Sequence, residues 1–420
     1  MGFKKMIAII LIAMMSISLA GCEKFSNNNE QILADKVDKE LVEGNNKFAF
    51  NIFKEISKDD KEKNVFISPL SISMALTMTY NGAKDNTKEE MNKVLGYEGM
   101  SDDKINHSYK TLTGYLENID KNIKLNIGNS IWIREGQDIN KEFININKNI
   151  FGGKVDNLDV SNASSVDKIN NWIEKSTNNM IKDMLKGPIS DNVIMYLINA
   201  IYFKGNWQEP FDKNNNVIEE FTNSKGEKSQ VDFMRKIATG DKTFYGEKDD
   251  FKVIKIPYAS GKISMYAVLP KEGLGIDSFI NGLDLDKWKS IKASIGKEKE
   301  DVNVSFPKFQ IEYGAKELKE SLVVLGMKDA FSEAANFKGI REDICISSVL
   351  HQAKIEVNEE GSEASAATIV EVKETAMQII DDHKEFIANK PFLFIIEDEE
   401  SGTILFMCKL EEVKSGYVPG

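Results

Sequence analysis

Residues Glu359–Thr368 read Glu-Glu-Gly-Ser-Glu-Ala-Ser-Ala-Ala-Thr, and seven of these ten are Gly, Ala, Ser or Thr in a chain otherwise rich in large side chains. No proline follows until Pro391. From Ser362 the pattern turns to period two. Ser362, Ala364, Ala366, Thr368, Val370 and Val372 are small or aliphatic, while Glu363, Glu371 and Lys373 fall between them, with Ser365, Ala367 and Ile369 as exceptions. Such alternation marks a strand with one face buried and one in water. Gly and Ala are nonetheless poor strand formers, so the segment has little reason to be a strand by itself. A stretch that is a loop in one state and a buried strand in another has this composition. The competing reading is a plain Ala/Ser linker, and the flanking sequence decides between them.

Outward from this tract, the N-terminus carries Lys4 and Lys5, an apolar run from Met6 to Leu19, and then Ala20-Gly21-Cys22. A short positive segment, an apolar core too short to span a bilayer and small residues before a cleavage point describe a signal peptide. The cysteine at the boundary resembles a bacterial lipoprotein signal. The expected organisation is therefore a signal over residues 1–21, a polar linker over 22–44 starting at a diacylated Cys22, and one large domain over 45–414. Two acyl chains hold a protein stably at a membrane, so the chain is expected to be exported and anchored at the cell surface. An ordinary secreted protein with an incidental Cys22 is the alternative.

Composition excludes several classes. The net charge is −12 and the acidic residues are spread, which argues against nucleic acid or another polyanion as partner. Beyond Cys22 the chain has Cys345 and Cys408, so it is not built on a disulfide framework; two buried thiols or one bridge remain open. Three histidines (His107, His351, His383) and no CxxC spacing give no expected metal site or cofactor. A GxSxG elbow is absent, and no other motif marks an enzyme.

Helices dominate the first half. Phe48, Ile52, Phe53 and Ile56 form a stripe over Asn45–Ser57, and Ser68-Pro69 pairs a capping residue with proline at the first helical position. A third helix is expected from Asn86 or Thr87, and a fourth over Val166–Leu185. Strands are expected over Ile123–Ile133, Val193–Phe203, Lys252–Pro257, Ile263–Leu269, Asp301–Ile311, Ala353–Val357, Phe392–Glu397 and Thr403–Leu410. The class is α+β with a largely antiparallel sheet.

Four segments, in order, resemble the serpin family and span nearly the whole domain: Asn64-Val65-Phe66-Ile67-Ser68-Pro69-Leu70-Ser71-Ile72; Asn199-Ala200-Ile201-Tyr202-Phe203-Lys204-Gly205-Asn206-Trp207; His351 through Ala364; and Lys390-Pro391-Phe392-Leu393-Phe394 with Leu405-Phe406-Met407. The resemblance implies three mostly antiparallel sheets, about nine helices and an exposed reactive loop between Gly361 and Pro391. It implies a monomer that inhibits serine endopeptidases, with cysteine endopeptidases as a second class. The target forms an acyl-enzyme with the loop, which then inserts into the main sheet. Glu359, Gly361, Ser362, Ala364, Ala366 and Thr368 match the loop's hinge. Ser68, Ser71, Asn199 and His351 match a polar cluster under the sheet centre. Lys204 and Trp207 match the end where insertion begins, and Lys308 matches a lysine paired with the glutamate at Glu359. Cys408 departs from the glycine common there.

The family's usual spacing of fourteen residues past Gly361 puts the scissile residue at Thr375, followed by Ala376, which suits subtilisin- or elastase-like enzymes. Lys373, Glu374 and Met377 are the alternatives and would suit trypsin-like, glutamyl-specific and chymotrypsin-like proteases. A non-inhibitory serpin, acting as a binding or chaperone-like surface lipoprotein, is the competing function.

Overall fold

The first long helix, α1 (Lys39–Asp59), starts where the Asp38 carboxylate accepts from the N–H groups of Glu40 and Leu41 at 2.8 and 3.2 Å. This corrects the linker expected through residue 44. Gly44, the last residue of that linker, is buried inside the helix with Asn45 and Asn46. Gly44 is needed for contact, since a Cβ there would lie 2.4 Å from the Gly96 carbonyl oxygen. The structure, a computed structural model, describes residues 32–136, 138–362 and 383–414, and the chain from Leu33 onward forms one unit.

Nine α-helices occur among the described residues. Helix α2 (Pro69–Tyr80) is buried at every position, with Ser68 Oγ accepting from Ser71 N–H at 3.3 Å as its cap. It packs between strands of the two main sheets. Then come α3 (Asp85–Leu95), α4 (Asp102–Glu117), α5 (Lys141–Phe151) and α6 (Ser164–Ser176). Helix α6 stops before the expected Leu185 because Asn178 and Asn179 take φ of 54° and 65°, a conformation a helix cannot continue. Ile181 and Met184 still reach the core, from a loop that packs with Ile169 and Ile173 on Trp132. Short helices α7 (Ile276–Asn281), α8 (Leu285–Ala293) and α9 (Lys319–Leu325) complete the set.

Six strands make the first sheet, in the order β11 (Phe309–Glu317), β12 (Ser348–Val357), β13 (Gly361–Ser362), β4 (Met195–Asn206), β2 (Ile123–Arg134) and β3 (Lys154–Leu158). The other strands run β1 (Val65–Ile67), β16 (Ile404–Leu410), β15 (Phe392–Asp398), β9 (Ile263–Pro270), β8 (Phe251–Tyr258), β7 (Lys242–Lys248), and then β10 (Glu300–Pro307), β6 (Lys228–Lys236) and β5 (Val217–Thr222). Strand β14 (Lys384–Ile387) pairs with β10 in parallel. Only Glu300↔Thr243 and Asp301↔Lys242 join β10 to β7, so this path is two sheets meeting at a corner. The fold is therefore three mostly antiparallel sheets with nine described helices, α+β as expected.

The segment Asp301–Ile311, read as one strand, divides at Lys308. Pro307 pairs with Phe233 in β6 and Phe309 pairs with Val357 in β12, so consecutive strands serve different sheets. Cys408 lies buried on β16 opposite Phe66 and Phe394. Cys345 is in the loop before β12, half-buried, and both thiols are free.

Candidate functional site

Strands β12 and β4 run parallel and pair directly from Ser348↔Tyr196 to Lys354↔Tyr202. Above that point they separate, and Gly361–Ser362 fills the opening. Ser362 pairs with Val357 on one side and Gly205 on the other, antiparallel to both. Asn358 shapes the turn that brings the chain back: its N–H donates to Gly361 O at 2.9 Å and its Oδ1 accepts from Glu360 N–H at 3.0 Å. Gly361 is required by contact, because a Cβ there would lie 2.2 Å from Gly205 O.

Side chains of Trp207, Tyr258 and Lys308 hold this two-residue strand and the turn before it. Trp207 Nε1 donates to Asn358 O at 2.9 Å, and its ring stacks on Tyr258 with centroids 4.4 Å apart. The Tyr258 hydroxyl lies 2.6 Å from Ser362 Oγ, both fully buried. Backbone N–H groups of Trp207 and Phe211 donate to Glu360 O and Glu359 O at 2.8 and 2.9 Å. From the corner between sheets, Lys308 Nζ reaches Glu359 Oε1 at 3.1 Å and Asp232 Oδ2 at 3.0 Å. Burial alone would raise the Glu359 pKa. Hydrogen bonds from its own N–H and from Asn216, with the charge of Lys308, outweigh burial and leave it below the usual carboxylate value.

Removing Lys308 therefore strands a buried carboxylate. Lys308→Met is expected to cost about 3 kcal/mol, read as a lower urea midpoint, and to free the hinge. Asp232→Asn is expected to cost less than half as much, because Asp232 is more exposed (35% against 7% for Glu359) and faces water.

A second cluster lies lower in the same sheet. His351 and Asn199 are register partners across β12 and β4, and Asn129 is the partner of Asn199 across β2. Ser68 N–H donates to His351 Nε2 at 3.3 Å, so that nitrogen carries no proton. Nδ1 then holds the proton and donates to Asn199 Oδ1. The Asn199 amide in turn donates to Ser71 Oγ and Asn129 Oδ1. Burial alone holds the His351 pKa down at about 3, and the ring is neutral.

The structure thus brings Trp207, Lys308, Glu359, Gly361 and Ser362 together at the head of the sheet, and Ser68, Ser71, Asn199 and His351 at its centre. Lys204 joins neither. It stands on β4 opposite Lys124, and its ammonium makes no hydrogen bond or ion pair among the described residues. Ala364, Ala366, Thr368, Thr375, Ala376 and Cys22 lie outside the described residues. Sequence reading missed Tyr258, Asn216 and Asp232, which act through contacts distant in sequence, and gave no role to Asn358, which shapes a local turn. No cluster of His, Cys, Asp or Glu suited to a metal occurs among the described residues, and none of their helices is long and apolar enough to cross a membrane.

Two parallel strands that part around Gly361–Ser362, the start of a small-residue segment, are the distinguishing feature of this sheet. Residues 43–413 match the family model described as Serpin (serine protease inhibitor). An uncharacterized serpin-like protein of Methanosarcina acetivorans is 33% identical over 426 residues, covering 97% of each chain. The native-state crystal structure of tengpin, a thermophilic serpin, matches with TM-score 0.79 and 32% identity, over 90% of this chain and 95% of that one. Human thyroxine-binding globulin, crystallised with thyroxine, matches with TM-score 0.79 and 28% identity, over 90% and 99%. The chain belongs to the serpin family.

Proposed function

We propose that this serpin is a suicide-type inhibitor of serine endopeptidases, with subtilisin- or elastase-like enzymes as targets. The observation that carries the reading is the seating of Gly361–Ser362 between β12 and β4, followed in sequence by small residues of the same parity. The protease serine attacks the Thr375 carbonyl, forming an ester and releasing the amine of Ala376. The severed loop then continues the strand that Ser362 begins. Parallel pairs between β12 and β4 are exchanged for two antiparallel ladders, with no proline to remove a donor. At ~1 kcal/mol net per hydrogen bond, a strand of about ten residues releases on the order of 10 kcal/mol, comparable to the stability of a whole domain. That release carries the ester-linked protease along and distorts it.

Residues 1–21 direct export in this reading, and a lipid on Cys22 tethers a monomeric inhibitor at the cell surface. The apolar run and Cys22 support it.

Incubating residues 23–420 with subtilisin and with elastase tests the proposal. The expected product is a heat- and detergent-stable band at the summed mass, with a released peptide that begins at Ala376. A peptide beginning elsewhere moves the bait bond and keeps the mechanism. Clean cleavage across a protease panel, with the enzymes undiminished, would overturn inhibition in favour of a non-inhibitory serpin.

A further inference from the structure

Behind the seated hinge two hydroxyls meet, and each has the other as its one hydrogen-bond partner among the described residues. Tyr258 Oη and Ser362 Oγ lie 2.6 Å apart, with both side chains fully buried. Burial raises the Tyr258 pKa, so the phenol keeps its proton. The ring is fixed independently of the hinge. It stacks on Trp207, meets Phe203 edge-on with centroids 5.1 Å apart, and would lie 3.1 Å from a Cβ at Gly205. Its hydroxyl therefore stands at the head of the gap between β12 and β4 whether or not Ser362 is in place.

The remaining grips fall on the turn rather than on the seated pair. Trp207, Phe211 and Lys308 engage residues 358–360, and Lys213 reaches Glu360 Oε1 at 2.9 Å. Gly361 has no side chain to hold. Among the described residues, the Tyr258–Ser362 pair is thus the side-chain hydrogen bond made with the hinge seated and lost with it withdrawn. Withdrawal lets water reach both hydroxyls, whereas seating with one of them deleted leaves the other buried and unpaired.

We infer that Tyr258 is a positioning residue for the loop: through Ser362 it sets the share of molecules whose hinge is seated before any protease arrives. A consequence for inhibition rests on the inhibitor reading. Seating two residues takes about 7 Å of reach from a loop that is tied down again at β14. Fewer loop conformations then present an extended bait to a protease. The same two residues are the first rung of the ladder that the severed loop extends, so insertion starts without the entropy of closing that rung. The pair therefore slows attack and secures trapping. Seating itself does not depend on that reading.

Tyr258→Phe, Ser362→Ala and the double variant, compared with wild type over residues 23–420, test the inference. Hydrogen exchange of the Gly361 and Ser362 amides, read by mass spectrometry, reports seating directly. Each single variant is expected to exchange about tenfold faster, because it strands one buried hydroxyl. The double variant strands none and should return to within about threefold of wild type. With subtilisin, each single variant should be cleaved about threefold faster or more, with more molecules cleaved per protease trapped, and the double variant should reverse both changes. Single variants that exchange like wild type, or a double variant as fast as the singles, would overturn the inference, since lost packing alone gives no rescue. Exchange that follows this pattern in a chain that traps no protease would overturn the inhibitor reading alone. Trapping by all four chains with exchange unchanged would overturn the role of Tyr258 alone.

Discussion

Thr368→Arg is expected to turn the chain from inhibitor into substrate. The register of Ser362 fixes where this residue would arrive on the proposed insertion. Ser362 pairs with Val357 and Gly205, so an antiparallel strand continuing from it sets Ala364 opposite Ile355, Ala366 opposite Ala353, and Thr368 between His351 and Asn199. Ser362 is fully buried with its hydroxyl on Tyr258, and period two gives Thr368 the same inward face. His351 and Asn199 are themselves buried among Ser68, Ser71 and Asn129, with no carboxylate in that hydrogen-bonded cluster. A guanidinium arriving there loses its water and gains no counter-charge.

In the proposed mechanism, inhibition is a race between insertion and hydrolysis of the ester. An insertion barrier raised by ~3 kcal/mol slows the strand ~100-fold and hands the race to hydrolysis. The expected readout is more than about ten molecules cleaved per protease inactivated, against about one for wild type, with the first cleavage at Thr375 unchanged. Glu363→Arg, of outward parity, is the control and should inhibit normally. Equal behaviour of the two variants would show that the loop does not enter in this register.

The sequence made some of this site legible because the physics there is local. Ser68-Pro69 caps and starts a helix by its own backbone chemistry, and α2 begins there. Val193–Phe203 is a continuous apolar run, and β4 lies inside its sheet with neighbours on each side. At the hinge, Gly361 and Ser362 are small residues seated between two strands, and the rest of the small-residue tract lies outside the described residues. What stayed hidden depends on partners far along the chain. Nothing in Asp301–Ile311 announces that Lys308 is a corner, since the break comes from β10 and β11 answering to different sheets. Tyr258 looks like a strand end until Trp207 and Ser362 arrive on either side of it. Asn178-Asn179 ended α6 against an apolar period that ran on, because the core could be filled from a loop as well as from a helix. The polar strands β5 and β7 carry too few inward apolar residues to stand out from their loops.

Mild acid is expected to loosen the same sheet through His351. In the folded chain its pKa lies at about 3, against 6.5 when freely solvated. Between these values the unfolded chain binds a proton that the folded chain does not, so stability falls as pH falls. The contribution is complete above pH 6.5 and is lost progressively on acidification towards 3. The slope in that window approaches ~1.4 kcal/mol per pH unit. Glu397 and Asp398, raised mainly by burial, pull the other way as they take up protons in the folded state. The measurement is therefore a difference, the urea midpoint of wild type against His351→Gln from pH 7 to 4.5. Wild type should lose stability faster on acidification by about one proton's slope, and parallel curves would remove His351 as the cause. Its location gives the titration a consequence beyond stability. A proton on Nε2 would face the Ser68 N–H donor-to-donor, beside the His351↔Asn199 pair of β12 and β4. In the proposed mechanism that pair must also part when Thr368 comes to lie between them. Acid and the inserting strand therefore act on one contact. Wild type held at pH 5 should lose trapping capacity, measured back at neutral pH, sooner than His351→Gln does.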